Sequence, residues 1–283
     1  MRVDEFFDVL DNPLLILSLL TLFLISGDIQ QKLLDMTARF SALESKVENL
    51  SVSSAIVDKV IIYNEDAITR GSNRIFKSNL LSEYNAAKRS TASGLTLIKC
   101  MLVGVSLPSQ VVIASHIVKH AWQGLGIHSL LSINVDDAGN GLLLFKPIEW
   151  ALDNSKLCFI YKQGFQTFTM RILDPALKAK KLISILTDPH TDGLKKFAGD
   201  LSHEVWAEVG QAIGQTTFGE LEGHWLKFDG LKRPFKRALC FHARRARAYA
   251  LQKEWISQDD VTFDDFWSEG DYKANVEGWL ATL

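Results

Sequence analysis

The hydrophobic period of this chain changes near residue 95, and that change limits the possible folds more than anything else in the sequence. Upstream, Leu33, Met36, Phe40, Leu43, Val47 and Leu50 recur at alternating spacings of three and four, which lays them along one helical seam. Downstream, "LTLIKCMLVGVSL" and "SQVVIASHIV" are apolar, β-branched runs, with Pro108 and Ser109 between them. Turn residues between two such runs predict a hairpin. "LLLF" (142–145) reads as a further strand, ended by Pro147, and "IEWALD" (148–153) as a helix with proline in its first turn. A chain carrying both periods in separate stretches is expected to be α+β.

Composition narrows the class without choosing a function. At 283 residues, 47% of them hydrophobic, the chain can bury a core of one or two domains. Basic and acidic residues number 31 and 33, so no global positive charge announces a nucleic-acid binder, and any such signal must be local. Cys100, Cys158 and Cys240 are odd in number, far apart and without a CxxC pair. That argues against a disulfide framework and a four-thiolate zinc site, and suits a reducing, intracellular compartment.

The amino-terminal run from Leu14 to Ile25 is too short to span a bilayer, which takes roughly 20 residues. It has the length of a signal-peptide core, but Asp4, Glu5, Asp8 and Asp11 precede it against Arg2 alone, where signal peptides are positive. A buried or partner-bound helix is the preferred reading, with secretion through a weak signal left open. The seam from Leu33 to Leu50 has two readings: a short coiled coil that pairs two copies, or an amphipathic helix on its own domain. Ser51 to Ser54 breaks the pattern and suggests a boundary. A helical connector, "KSNLLSEYNAAKRS" included, is expected over 52–95.

Chemistry concentrates in the middle. His116 closes an apolar strand; about twenty residues of loop follow, longer than ordinary connections; then Asn140-Gly141 opens the next strand. Alone, Asn-Gly is a common hairpin turn. Together, Cys100 with Gly104, Ser115-His116-Ile117, Asn140-Gly141-Leu142 with Leu144, and Ile148 through Asp153 resemble the HNH nucleases, or ββα-metal fingers, in the branch with Ala/Ser-His-Ile and Asn-Gly-Leu motifs. The resemblance covers roughly 96–170. It implies a ββα-metal core and metal-dependent endonucleolytic hydrolysis of DNA, with His116 as general base and Asn140 fixing the geometry of that histidine or of the metal. The family's last histidine, a metal ligand, aligns with Glu149. Glu149 and Asp153, one helical turn apart, can grip one ion; oxygen ligands favour magnesium or manganese. In two places the sequence departs from the family: Glu149 replaces that histidine, and Ser115 stands where many members have an acidic or histidine ligand. His120 and His128 lie in the loop with weaker claims, and no HExxH pattern is present.

Near the carboxy end, "LKRPFKRALCFHARRARAYALQK" holds eight positive charges in 23 residues and no acid. Arg233, Arg237, Arg244, Arg245 and Arg247 are candidate DNA contacts, with Arg237, Arg244 and Arg247 on one helical face. The stretch 254–271 holds seven acids and can instead neutralise that helix within the fold. "KRPFKR" is a weak nuclear-import candidate. The expected organisation is a helical arm (1–51), a helical connector (52–95), an HNH-like core (96–175) and a mainly helical region (176–283). The expected activity is a DNA endonuclease; the alternative is an inactive HNH-like nucleic-acid-binding or protein-interaction module that dimerises through the arm.

Overall fold

The computed structural model describes residues 30–32, 34–41, 74–91, 93–125, 127–162, 165, 167–188 and 192–257. The chain divides into two compact units, residues 1–53 and 54–283. In the first, residues 30–32 and 34–41 are helical. Met36 and Phe40 of the seam are 55% and 61% exposed, with Leu34 beside them at 64%. Asp35 and Arg39 pair one turn apart at 3.2 Å, both largely in solvent, so the pair contributes little. Leu33, Leu43, Val47, Leu50 and the apolar run 14–25 lie outside the described residues.

The second unit mixes helices with three small antiparallel sheets among its described residues, an α+β arrangement. Helix α1 (Arg74–Glu83) buries Phe76 and Leu80. Strands β1 (Ala87–Arg89), β2 (Thr96–Lys99) and β3 (Ser106–Pro108) form the first sheet. The hairpin expected at Pro108-Ser109 is instead one element earlier. β2 turns into β3 through Cys100–Gly104, where Gly104 takes φ +80° and its amide reaches the Cys100 carbonyl at 2.8 Å. Pro108 is the last residue of β3, opposite Leu97, and Ser109 N–H still donates to the Thr96 carbonyl at 2.8 Å.

The chain then starts a new sheet. β4 (Val112–His116) pairs with β5 (Gly141–Phe145), in register from Val112↔Phe145 to His116↔Gly141. Every residue of β5 is buried, which is why its sequence is continuously apolar rather than alternating. Helix α2 (Lys146–Asp153) follows at once and buries Pro147, Ile148, Ala151 and Leu152. Three bonds tie the first hairpin to β5: Met101 N–H donates to the Leu143 carbonyl at 2.9 Å, Leu143 N–H to Met101 Sδ at 3.3 Å, and Phe145 N–H to Cys100 Sγ at 3.3 Å. Strands β6 (Leu157–Lys162) and β7 (Thr167–Ile172) make the third sheet. Helices α3 (Asp192–Gly199), α4 (His203–Ile213, capped by Ser202) and α5 (Lys236–Gln252) complete the unit. Ala243, Ala246 and Ala250 of α5 pack on Cys158, Ile160 and Leu173, small residues that let helix and sheet approach closely. All three cysteines are free and buried. Among the described residues, no helix is long and apolar enough to cross a membrane.

The connecting segment expected to be helical over 52–95 is helical in α1 but turns to strand at Ala87–Arg89, with 51–73 outside the described residues. Among the described residues of the carboxy-terminal region, α3, α4 and α5 are helical, and the stretch 214–235 between α4 and α5 is irregular apart from a 3₁₀ turn over Gly219–Leu221.

His242 on α5 is 2% exposed, and burial pushes its imidazole down to about 3, helped by the nearby charges of Arg245 and Lys119. The unfolded chain takes up this proton near its ordinary value of ~6.5, the folded chain only near the lowered one, so acid favours unfolding. Stability from this group is therefore complete above ~6.5 and lost progressively toward about 3, at up to ~1.4 kcal/mol per pH unit. Urea midpoints of wild type should fall between pH 7 and 5, and His242→Gln should show a shallower fall; an unchanged slope would exclude the effect.

Candidate active site

His116 owes its environment to the residue opposite it. Gly141 has an extended backbone (φ −134°), so it is not there to make a turn. A Cβ at Gly141 would lie 2.6 Å from both Leu80 Cδ2 and Phe76 Cζ of α1. The missing side chain lets α1 close over the strand end, and Phe76 stacks on the His116 ring with centroids 3.6 Å apart and planes 10° apart. Lys77 fastens the same helix to β4, donating to the Ser109 and Val112 carbonyls at 2.8 and 2.6 Å.

Asn140 is fully buried and is not a hairpin-turn residue either. Its Nδ2 donates to the Val118 carbonyl at 2.8 Å and the Val135 carbonyl at 2.9 Å, and its Oδ1 accepts from Val118 N–H at 2.9 Å. The carboxamide thereby closes the loop 117–139 on itself, using both of its donor hydrogens. Its own carbonyl accepts from Ile117 N–H, one step beyond the β4–β5 ladder.

That closure delivers two loop side chains to the end of β4. A 3₁₀ turn over His120–Leu125 folds His120 back toward His116, with ring centroids 5.0 Å apart. Asp136 Oδ1 lies 3.1 Å from His120 Nε2 and 3.6 Å from His116 Nε2. The three potential ligand atoms lie within 4.8 Å of one another. The longer of those distances is beyond a hydrogen bond, and the buried His116 Nε2 has no hydrogen-bond partner among the described residues. Burial, then the neighbouring His120, lower the His116 imidazole to about 4, against the opposing pull of Asp136. It is neutral at physiological pH.

Glu149 and Asp153 do share a face of α2, as their spacing requires, but each is matched with a lysine. Lys146 Nζ reaches Glu149 Oε2 at 2.6 Å, and Lys119 Nζ reaches Asp153 Oδ2 at 3.0 Å. Burial, reinforced by Asp153, raises the Glu149 carboxyl above the usual range.

Two of the arginines expected on a DNA-facing surface turn inward. Arg245 is 3% exposed, with its guanidinium 4.8 Å over the Trp122 ring; burial lowers it to about 10, still charged at neutrality. Arg237 reaches the loop, donating from Nε to the Leu131 carbonyl at 2.6 Å and from Nη2 to that of Ser132 at 2.9 Å. Arg244 and Arg247 are half-buried, and Arg233 is exposed at the start of the segment, stacked on Phe228.

Sequence reasoning passed over Asp136 and gave His120 little weight. The available signal was the pair Asp136-Asp137 at the end of an over-long loop, just before Asn140. A spacing of four residues does not bring two side chains together where one of them closes a strand; here a 3₁₀ turn brings His120 to His116.

Residues 100–160, from the β2–β3 turn to the middle of β6, match the family model described as HNH endonuclease. No curated protein and no solved structure matches the chain.

The buried clamp makes a stability prediction. Asn140→Ala should strand a buried amide hydrogen and two carbonyls and cost about 2–4 kcal/mol. Asn140→Asp should fare no better, since it sets a carboxylate against two carbonyl oxygens. Urea unfolding of both variants checks this, and midpoints equal to wild type would show that the loop closes without the clamp.

Proposed function

We propose that this chain is a metal-dependent endonuclease that hydrolyses phosphodiester bonds in DNA. The observation that carries the reading is the end of β4. There, inside the HNH-matching segment, a buried imidazole nitrogen without a hydrogen-bond partner faces a loop histidine and an aspartate. In this reading His116 is the general base. It takes a proton from the attacking water while the bond from phosphorus to the leaving ester oxygen breaks. The lowered imidazole is neutral, hence able to accept, though a weaker base than one tuned near pH 7. Asp136 stabilises the imidazolium that forms, and Phe76 keeps the ring from rotating away.

The residues at this site fit a divalent ion, because nitrogen and oxygen donors converge on one point beside an unpartnered nitrogen. When bound, such an ion neutralises charge developing on the phosphate and the leaving oxygen. Asn140 acts on none of these atoms and holds the loop that carries them. Phosphate contacts fall to Arg233, Arg244 and Arg247, while Arg237 and Arg245 serve the fold. Glu149, paired with Lys146 where the family has a ligand histidine, favours the second reading of an inactive nucleic-acid-binding relative. The exposed Met36 and Phe40 support pairing of two copies through the Leu33–Leu50 seam.

Nicking of supercoiled plasmid should require a divalent metal and stop with chelator. His116→Ala should lower the rate by ~10²–10⁴ with little change in DNA affinity, since a neutral imidazole adds little to phosphate attraction. Binding without nicking under every metal tried would favour the inactive relative. In sedimentation, wild type should be a dimer and Met36→Glu with Phe40→Glu a monomer; two monomers would end the pairing idea.

A further inference from the structure

The segment that leads into α5 carries the most exposed large apolar side chain among the described residues. Leu231 is 98% exposed, in the middle of the turn 229–233. A single leucine in water is ordinary on a protein surface. What sets this one apart is how firmly its turn is held and what stands beside it.

Both ends of the turn are fastened to residues that match the HNH model. Before it, Lys227 N–H donates to the Met101 carbonyl at 2.7 Å; after it, Phe235 N–H donates to the Gly139 carbonyl at 2.7 Å. Pro234 is buried, and Asp229 pairs with Lys99. Arg233 braces the turn from within. Its Nη1 donates to the carbonyls of Gly230 and Lys232, the two neighbours of Leu231, at 2.6 and 2.8 Å, and its guanidinium lies 4.8 Å over the Phe228 ring. A tip held in this way has little freedom left to lose on binding, so its contacts count more fully toward affinity.

Charge and space complete the surface. Lys232 and Arg233 directly follow Leu231. Lys232 pairs with Glu83 at 3.2 Å, but the two side chains are 69% and 44% exposed, and so wet a pair holds its lysine weakly. The brace uses one nitrogen of Arg233, whose guanidinium carries five N–H donors, so brace and phosphate contact are compatible. Beside the turn opens a cleft of about 410 Å³, bounded by Arg233, Phe235, Asn79 and Glu83 and reaching Asp136, which also lies 3.6 Å from His116 Nε2. That volume takes a small unit such as one stretch of sugar–phosphate backbone, not a duplex.

We propose that the turn 229–233 is a wedge that enters duplex DNA. Leu231 inserts between two base pairs, Lys232 and Arg233 take the adjoining phosphates, and the strand freed from the stack follows the cleft toward His116. DNA as the partner rests on the nuclease reading. An apolar wedge exchanges base stacking for buried apolar surface, so it enters where stacking yields most easily, at pyrimidine–purine steps such as TA and CA. Residues 229–233 lie outside the matched segment, which supplies His116 but not the wedge.

The test uses the full-length protein and a duplex carrying 2-aminopurine, a base that brightens on unstacking, at a TA step, with chelator present so that the duplex stays whole. Wild type should brighten this probe several-fold, and less so a probe at a purine–purine step. Leu231→Ser, at a position with no packing to lose, should abolish the rise and weaken binding about 10-fold, which is what burying one leucine supplies. Leu231→Met should keep both. Lys232→Gln should keep the rise at saturation and flatten the salt dependence by about one unit of log–log slope. Equal brightening by Leu231→Ser and wild type overturns the wedge and leaves the leucine to a protein partner or a second copy. Plasmid nicking with metal, run in parallel, separates the two ideas. Brightening that depends on Leu231 with no nicking under any metal removes the nuclease reading alone. Nicking by a wild type that leaves the probe dark removes the wedge alone, and a wild type that binds no duplex removes both.

Discussion

The Asn140 carboxamide is the contact on which the rest of the site depends. The loop from Ile117 to Gly139 is long, and at Val118 its backbone is buried. There the amide and carbonyl of Val118 and the carbonyl of Val135 need partners, and one side chain supplies all three. Because Asn140 is fully buried, water offers no substitute, and the closed loop is the arrangement with every group satisfied. His120 and Asp136 come to the end of β4 as a consequence. The next residue does the complementary task on the other wall: without a side chain at Gly141, α1 lays Phe76 on His116. Two adjacent residues thus set both sides of one imidazole.

Helix α5 supports the same loop from outside. Phe235 N–H donates to the Gly139 carbonyl at 2.7 Å, Arg237 holds the carbonyls of Leu131 and Ser132, and Phe241 and Arg245 pack on Trp122. Burying a guanidinium is costly, and a ring face repays part of that cost through cation–π attraction. Arginine suits the task because its planar, multi-donor head meets two carbonyls at once. A helix that reads from its charges as a surface stripe is therefore in large part internal.

The contrast between the two acidic positions has a similar origin. Glu149 and Asp153 are one turn apart on α2, and two carboxylates so placed repel unless something neutralises them; Lys146 and Lys119 do. Asp136 instead lies against two imidazoles at the end of β4, 3.1 Å from His120 Nε2 and 3.6 Å from His116 Nε2. Ammonium groups neutralise the first pair of carboxylates, whereas the third is held beside rings that the loop brings to the strand end.

Much of the core was legible in the sequence because strand and helix periods depend on neighbours along the chain. The β4 and β5 strands and the helix entered through Pro147 follow from local spacing, and the motifs over 96–170 that resemble the HNH nucleases enclose the matched residues 100–160. What the sequence did not reveal are the pairings made across space. A proline and a serine between two apolar runs look like a hairpin whichever strand each run pairs with, so the turn was placed one element late. Asn-Gly looks like a turn whether its glycine serves a backbone angle or clears room for a helix more than fifty residues earlier. A basic helix looks exposed until the ring and the carbonyls that receive its arginines are known. Spacing alone determined the elements and their order; only the tertiary structure, by burying Asn140 and folding the loop around it, decided which side chains share a site.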